Sequence, residues 1–516
     1  MYKMPAPRLR AQQLKPLAAV FASLFVLSES VLAAQPSAPA AQPFSGAAMV
    51  RNLRTSLAPT VLHGPAIGTA RPAPAFVAST AVTSCGDDPD DYTTLRHAVL
   101  TANSTDTIEL AGLQCSKITL TNGAIPVIVD DLKIHGPGAA ALTIDGNGSD
   151  RVFKHTGAGT FALEDVTVAN GVISADKAYG GCIYDKGNLA MTNATLTSCK
   201  ALGQTAAVGG GAVVFGTITL DSSVVSDNLA DAAVGGGMGA TSAIGGGVVA
   251  LSQTEDTTLT HSLVSGNTVR SPTGLSEGGG LVAENLTVKY STFTGNQAVG
   301  GGEADNYSGA GAFVTMYSLF MINSTVDHNQ ADVAGGMFLA NNGFATIMQS
   351  TISSNKGNLA IGGIAANLTL SIANSTVAFN TGGAFGGGGL VLDGTCTATL
   401  QSTILADNVP SDFDGGMTID GSNNLVKVVG PNAAMLPAKT KTLDPILGPL
   451  AYNGSAATRT HALAAGSPAI DEGNNVANLM QDQRAGNFAR TVGAAADIGA
   501  FEFDPDRIFA DRFGGL

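Results

Sequence analysis

Residues 278–296 read GGGLVAENLTVKYSTFTGN and contain the two signals that decide the fold. The first is a glycine run followed by apolar residues, and the second is a block that begins at Ser291 and ends at Asn296. Between them apolar and polar residues alternate, which is typical of a β-strand. Glycine and asparagine tolerate left-handed backbone angles, so we expect them where the chain turns between strands.

The same unit recurs about every 30 residues along the chain. The asparagines that end successive blocks are Asn228, Asn267, Asn296, Asn329, Asn355, Asn380 and Asn408. Two earlier copies end at Asn170 and Cys199. One short repeat cannot bury its apolar face alone, whereas stacked repeats share a continuous core. The sequence therefore predicts an all-β, right-handed parallel β-helix of the pectin-lyase-like type, with the asparagines hydrogen-bonded in a ladder along its axis.

A β-sandwich of hairpins is the alternative fold for strands of this composition. It would need strand spacings of about 8–12 residues without a longer period, and the long period disfavours it. An open coil end exposes strand edges and needs a cap. The helical apolar spacing of residues 93–100 predicts a short helix that closes the N-terminal end.

Composition divides the chain into segments. A basic start, an apolar run from Leu17 to Leu27 and a small-residue site predict a secretory signal, because that run is too short to span a bilayer. The predicted segments are a signal peptide (1–34), an Ala/Pro/Ser-rich linker (35–80), an N-terminal cap with the first coils (81–150), the β-helix repeats (151–430), a C-terminal region (431–503) and a short tail (504–516).

Charge and cysteine content restrict the partners and the compartment. The formal net charge is −14, which argues against nucleic acid and anionic membranes as partners. No later segment is apolar enough for a transmembrane helix, so none is expected in the mature chain. Export permits disulfides. We favour Cys85 with Cys115 and, on weaker grounds, Cys182 with Cys199, which leaves Cys396 over; spacing alone does not fix connectivity.

Two resemblances cover most of the repeat region. Residues 94–99 (TLRHAV), 106–110 (DTIEL) and 115–120 (CSKITL) are similar to the entry region of bacterial CSLREA-type β-helix proteins. Residues 180–183 (GGCI) and 293–296 (FTGN) are similar to the repeats of polymorphic outer-membrane proteins.

The C-terminal region carries the most specific resemblance. Residues 444–450 (DPILGPL), 466–471 (GSPAID), 482–484 (DQR) and 497–502 (DIGAFE) look like a choice-of-anchor Q domain. The resemblance implies an extracytoplasmic protein, secreted or on the outer-membrane surface of a Gram-negative-type bacterium. It implies no particular chemistry, so we interpret Asp482, Arg484 and Asp497 as a structural ion-pair network.

A search for catalytic residues finds none. The position four residues after each glycine motif reads Asp185, Phe215, Leu251, Glu284, Thr315, Ala340, Asn367 and Asp393. Its acids lie three and four coils apart, about 14 and 19 Å, whereas a carboxylate pair for glycoside hydrolysis needs about 5–10 Å. Lysines and arginines are scattered through the repeats, and the histidines show no metal-ligand spacing.

Four acids form the best local candidate for a binding site. They lie before glycine motifs in three successive repeats, where stacked coils would bring them to one edge: Glu277, Glu303, Asp305 and Asp332. Such an edge could bind Ca²⁺ or a cationic ligand. The simpler interpretation is a solvated acidic edge that discourages aggregation. Tyr307, in an over-long repeat, is the aromatic residue there that a sugar could stack on.

These observations favour an exported, non-catalytic surface or secreted protein. Its predicted role is adhesion, or contact with extracellular matrix, extracellular polysaccharide or the surface of a host or neighbouring cell. No cofactor is expected apart from the Ca²⁺ above. Two alternatives remain: a polysaccharide lyase or glycoside hydrolase on the same fold, and a passive structural spacer.

Overall fold

The computed structural model describes residues 74–76, 78–232, 241–300, 308–340, 343–384, 386–455 and 457–506. The predicted signal peptide, most of the predicted linker, and three candidate residues (Glu303, Asp305 and Tyr307) lie outside the described residues.

The described chain winds into a parallel β-helix of about 11 turns. Strands of neighbouring turns pair in parallel in three sheets of 22, 12 and 9 strands, which confirms the predicted fold class. Each full turn contributes a first-run strand, a second-run strand and a third-run strand. The first and second runs together form the 22-stranded sheet, and the third runs form the 12-stranded sheet.

The strand bounds follow the order of the runs. The first-run strands are Ile125–Val127, Phe153–His155, Ile183–Asp185, Ala212–Val214, Val248–Ala250, Met337–Leu339, Ile364–Ala366, Leu390–Leu392 and Phe413–Gly415. The second-run strands are Ala78–Ala81, Asp106–Glu109, Leu132–His135, Thr160–Glu164, Asn188–Thr192, Ile218–Asp221, Thr257–Thr260, Phe344–Met348, Thr369–Ala373, Thr397–Gln401 and Thr418–Ser422. Two strands span both runs, Leu281–Lys289 and Phe313–Ile322.

The third-run strands are Lys117–Thr119, Thr143–Asp145, Thr167–Ala169, Thr195–Thr197, Val224–Ser226, Leu263–Ser265, Thr292–Thr294, Thr325–Asp327, Thr351–Ser353, Thr376–Ala378, Ile404–Ala406 and Leu425–Val426. The remaining sheet is made of what we call the outer strands, which lie between a third run and the next first run. They are Val172–Tyr179, Lys200–Val208, Leu229–Asp231, Ser242–Ile244, Thr268–Arg270, Leu275–Glu277, Gln297–Val299, Gln330–Ala331 and Lys356–Gly357.

The core consists of stacked apolar side chains. Because strand residues alternate between faces, every second residue of a run enters the interior. Phenylalanines from neighbouring runs pack there, with ring centroids 5.0 Å apart for Phe153 and Phe161 and 4.8 Å apart for Phe293 and Phe313. This shared core explains why no single repeat has to be stable alone.

Asparagine side chains connect the turns beside the third-run strands. Nδ2 of Asn228 donates to Oδ1 of Asn267 at 2.9 Å, and the same contact links each following pair as far as Asn408. Cys199 precedes the series, with its N–H donating to Asn228. The repeat alignment places Asn170 in this column, but the strand register does not. Ala169 pairs with Thr197, so Asn170 lies one position before the column.

Glycine is required where the chain enters the first runs in the middle of the β-helix. A Cβ on Gly246 would lie 2.3 Å from the carbonyl oxygen of Gly279, and a Cβ on Gly279 would lie 2.3 Å from that of Gly311. The backbones of successive turns therefore approach too closely for any side chain.

A short helix, α1 (Leu95–Thr101), packs at the N-terminal end of the coil. Thr94 caps its first turn, and its buried Arg96 donates to Asp87 at 2.7 Å. The predicted disulfides are confirmed: Cys85 is bonded to Cys115, and Cys182 to Cys199. Cys396 is free and buried.

The C-terminal region lies along the third-run sheet. It begins with an antiparallel hairpin of Leu447–Ala451 and Thr460–Leu463. His461 and Gln483 contact the sheet through Ser353 (2.8 Å) and Thr351 (2.6 Å). Among the described helices, none has the length and hydropathy needed to cross a membrane.

Candidate functional site

The two described acids of the predicted acidic edge are buried, so the expectation of a solvated edge is wrong for these two residues. Glu277 is 2% exposed and Asp332 is 7% exposed. The physical reason for Glu277 is the outer sheet: Glu277 ends the outer strand Leu275–Glu277, which pairs with the outer strand Ser242–Ile244. Both acids contact the same neighbouring turn. Asp332 accepts from the N–H of Ser308 at 3.1 Å, and Cγ of Glu277 would lie 3.1 Å from a Cβ on Gly309.

Glu277 is a buried carboxyl without a compensating charge. Burial raises its pKa from 4.5 to about 7. Its Oε2 has no hydrogen-bond partner among the described residues. A carboxyl in this position is protonated over much of the acid range. Because solvent does not reach it, we assign it no contact with a large substrate.

The register corrects the column in which catalytic acids were sought. Asp185 pairs with Val214 and so lies one position earlier than Phe215. Lys186 replaces it in the column. The two acids that remain, Glu284 and Asp393, are four turns apart, or about 19 Å. That separation exceeds the reach of a carboxylate pair for glycoside hydrolysis.

Asp185 instead forms a buried pair with His155. Its Oδ1 lies 2.6 Å from Nδ1 of His155, and the Nε2 of that ring lies 3.0 Å from the carbonyl oxygen of Val129. Burial is the largest single effect and opposes the charged imidazole, but the hydrogen bond and charge of Asp185 together with the carbonyl oxygens of Val129 and Asp130 outweigh it, so the pKa of His155 is raised. Both ring nitrogens face acceptors, so the pair is a charged link between adjacent turns.

The second-run strands present an uncharged outward column in the middle of the β-helix. One in-register column consists of Thr219, Thr258, Thr287, Phe320, Thr346, Ser371 and Thr399. We call this column the hydroxyl face. Its members are half-buried or exposed, and neighbouring turns set them about 4.8 Å apart. The arrangement is a row of hydroxyl groups interrupted by Phe320.

Aromatic side chains lie on and beside the hydroxyl face. Phe344 is 62% exposed and Tyr317 is 38% exposed. Phe344 pairs with Ser318, and Phe320 belongs to the hydroxyl face itself. Phe344 and Phe320 are thus diagonal neighbours on adjacent turns. We call Tyr317, Phe320 and Phe344 the aromatic patch. The sequence did not reveal it, because the three residues share a surface only once the register is known.

A histidine lies among carboxylates on the second-run strands near the N-terminal end of the β-helix. Nδ1 of His135 is 2.8 Å from Oε2 of Glu109, and its Nε2 is 3.6 Å from Oδ2 of Asp165. Glu164 lies beside them, and Lys133 contacts its Oε2 at 2.8 Å. One ligand atom each from His135, Glu164 and Asp165 lie within 4.8 Å of one another, an arrangement that metal ions use.

The acidic and basic residues of the C-terminal region form buried ion pairs. Arg484 donates to Asp482 at 2.6 Å, and Arg490 donates to Glu502 at 2.8 Å. Burial raises the pKa of Glu502 to about 7 even though Arg490 opposes the shift. Asp497 accepts from the N–H of Phe503 at 2.6 Å. All these contacts lie within the region itself, as expected of residues that hold a fold together.

Comparisons with known proteins give one structural likeness. The chain is similar to the crystal structure of pectate lyase Pel9A, with a TM-score of 0.38 and 13% sequence identity. The match covers 83% of this chain and 97% of that chain. No protein-family model and no curated protein matches the sequence. The strand pairings described above, rather than this likeness, establish the parallel β-helix.

Proposed function

We propose that this protein is an exported, non-catalytic β-helix that binds a neutral polysaccharide along the hydroxyl face, with the aromatic patch as the main contact. The observation that carries the proposal is the exposure of Phe344 and Tyr317 beside a row of hydroxyl groups. The biological role is adhesion or contact with extracellular matrix. The resemblances to surface proteins and the two disulfides support an extracytoplasmic setting.

The chemistry of the surface fits a sugar polymer. A sugar ring offers hydroxyl groups at its edge and carbon-bound hydrogens on its faces. Threonine and serine hydroxyls both donate and accept hydrogen bonds. An exposed aromatic ring supplies apolar area with little conformational freedom to lose. A linear polymer lying along the column would contact both kinds of group over several turns.

The absence of charge in this column favours a neutral polymer over an acidic one. From Thr219 to Thr399 the hydroxyl face contains no lysine, arginine, aspartate or glutamate. The whole chain carries a formal charge of −14, which would repel polyanions. Carboxylate-bearing polymers should therefore bind more weakly than neutral ones.

The lyase or hydrolase alternative needs an acid or base that reaches the sugar. Glu277 has a raised pKa but is buried, and Glu284 and Asp393 are four turns apart. The spacer alternative needs a surface without a ligand, and it predicts no retention of any polymer.

The test combines retention and cleavage. The purified chain is run by affinity gel electrophoresis through neutral and acidic polysaccharides, with and without Ca²⁺, and the polymers are assayed for new reducing ends. We expect retention by at least one neutral polymer and no cleavage. Phe344→Ala should weaken retention about tenfold, or about 1.4 kcal/mol. Tyr92→Ala removes an exposed aromatic ring near the N-terminal end; it is the matched control and should leave retention unchanged.

Three outcomes would overturn the proposal. New reducing ends would establish the enzyme, and no retention by any polymer would leave the spacer. Retention that Phe344→Ala and Tyr317→Ala leave unchanged would move the binding surface elsewhere.

A further inference from the structure

We propose that His135, Glu164 and Asp165 bind a divalent transition-metal cation of the zinc type, and that Glu109 is a positioning residue for the histidine. The site lies on successive second-run strands near the N-terminal end and is separate from the aromatic patch. It does not rest on the polysaccharide proposal.

The spacing of the ligand atoms fits a small cation. Zinc binds histidine nitrogen and carboxylate oxygen at about 2.0–2.2 Å, so two ligands of a tetrahedral site lie roughly 3.4 Å apart. Nε2 of His135 and Oδ2 of Asp165 are separated by 3.6 Å, too far for a good hydrogen bond and close to this ligand spacing. Glu164 completes a set of atoms that lie within 4.8 Å of one another.

The orientation of His135 also fits a metal ligand. Its Nδ1 lies 2.8 Å from Oε2 of Glu109, and because a carboxylate accepts, Nδ1 carries a proton; in the neutral ring the lone pair is then on Nε2. Metal-binding histidines in proteins donate their other ring N–H to a carboxylate or carbonyl in just this manner. Glu109 therefore orients the ring from the preceding turn without itself reaching the cation.

The backbone holds these side chains in place. Glu109, His135 and Glu164 are in-register partners on three successive strands. Asp165 follows in a left-handed turn with φ of 53°, and its N–H donates to the carbonyl oxygen of Thr192 at 3.0 Å. The site is therefore built on paired strands rather than on a free loop, which favours a fixed geometry.

The local charge favours a cation. The site holds three carboxylates, those of Glu109, Glu164 and Asp165, and among the described residues Lys133 is the lysine or arginine that contacts them. Lys133 contacts Oε2 of Glu164, which leaves the other carboxylate oxygen for the metal. One nitrogen and two oxygens suit zinc better than calcium, which prefers six to eight oxygens.

The experiment measures zinc binding by the metal-free full chain. Equilibrium dialysis against Zn²⁺ followed by metal analysis should give one zinc per chain. Co²⁺ in place of Zn²⁺ should give the visible absorption of a four-coordinate site. His135→Gln and Asp165→Asn should each weaken the affinity at least tenfold. His261→Ala is the matched control, because His261 occupies the turn position of Asp165 three turns further along and is exposed.

Two variants of Glu109 test its positioning role. Glu109→Ala should weaken zinc binding tenfold or more, as loss of an outer partner does. Glu109→Gln keeps an oxygen that accepts from Nδ1 and should restore most of the affinity. Neither should change the melting temperature of the metal-free chain by more than about 1 °C, because the site is at the surface. Failure to bind zinc, or binding that His135→Gln leaves unchanged, would overturn the assignment.

Discussion

Replacing Glu277 with glutamine is expected to stabilise the protein above pH 7 and to change little near pH 4. The folded protein holds the Glu277 proton up to a pKa of about 7, whereas an ordinary glutamate loses it near 4.5. Between these values the folded state binds more protons than the unfolded state, so the Glu277 contribution to stability falls as the pH rises. Above pH 7 the full penalty of burying the charge applies, and glutamine removes it.

The size of the effect follows from the shift. A difference of roughly 2.5 pH units corresponds to about 3 kcal/mol, because one pH unit is worth about 1.4 kcal/mol. In a chain of this length, 1 kcal/mol moves the melting temperature by roughly 1 °C. Glu277→Gln should therefore melt about 3 °C above the natural protein at pH 8, and within about 1 °C of it at pH 4.

The assay is thermal unfolding in a pH series from 4 to 8, recorded for the natural chain, Glu277→Gln and the half-buried control Glu255→Gln. The informative quantity is the difference between each variant and the natural chain at one pH, because Glu502 also has a raised pKa and contributes to the common trend. A difference for Glu277→Gln that does not grow with pH, or a lower melting temperature at pH 8, would refute the reasoning.

Two further predictions concern buried polar groups. Asn296→Ala should destabilise the chain by about 3 kcal/mol, because it removes the oxygen that accepts from the backbone N–H and Nδ2 of Asn267, and the Nδ2 that donates to the carbonyl oxygen of Val264. The exposed Gln297→Ala should cost little, and denaturant unfolding of both variants checks this. Arg490→Met should lower the free energy of unfolding by about 3–5 kcal/mol, because it leaves the charge of the Glu502 carboxylate unpaired. Adding Glu502→Leu should recover much of this loss. Equal losses in the single and double variants would contradict the pairing.

The repeat period carried most of the information about the fold. Alternation of residues identified strands, and the recurrence of glycine and asparagine about every 30 residues identified turns of a coil. Those two facts fix which residues enter the core, because a strand has only two faces. They also identified asparagines that hydrogen-bond from turn to turn in the structure. The two disulfides were favoured from the cysteine positions on the expectation of export, although spacing alone did not fix their connectivity.

The outer strands could not be anticipated from the same pattern. They lie in the variable part of the repeat, where the length changes from turn to turn. Glu277 therefore seemed to be in an exposed turn, although it ends a strand that is covered by its neighbours. Asp185 was misplaced by one position for a different reason: Ile183 pairs with Ala212, so Cys182 stands where the next turn has its third glycine. A shift of one residue moves a side chain to the other face.

The surface clusters were invisible for a related reason. His135 and Glu109 are separated by 26 residues, which is one turn of this β-helix rather than the spacing of a local metal-binding motif. Phe320 and Phe344 likewise become neighbours only through the pairing of Ser318 with Phe344. Contacts between turns require the register, and the register depends on the length of every loop.

The most direct test of the polysaccharide proposal is a calorimetric titration with an oligosaccharide of the polymer that the chain retains. The natural protein is compared with Phe344→Ala, Phe344→Trp and Tyr92→Ala. We expect alanine at position 344 to weaken the affinity about tenfold, while tryptophan at that position and the Tyr92 control keep it. Equal affinities for the natural chain and Phe344→Ala would contradict binding at the aromatic patch.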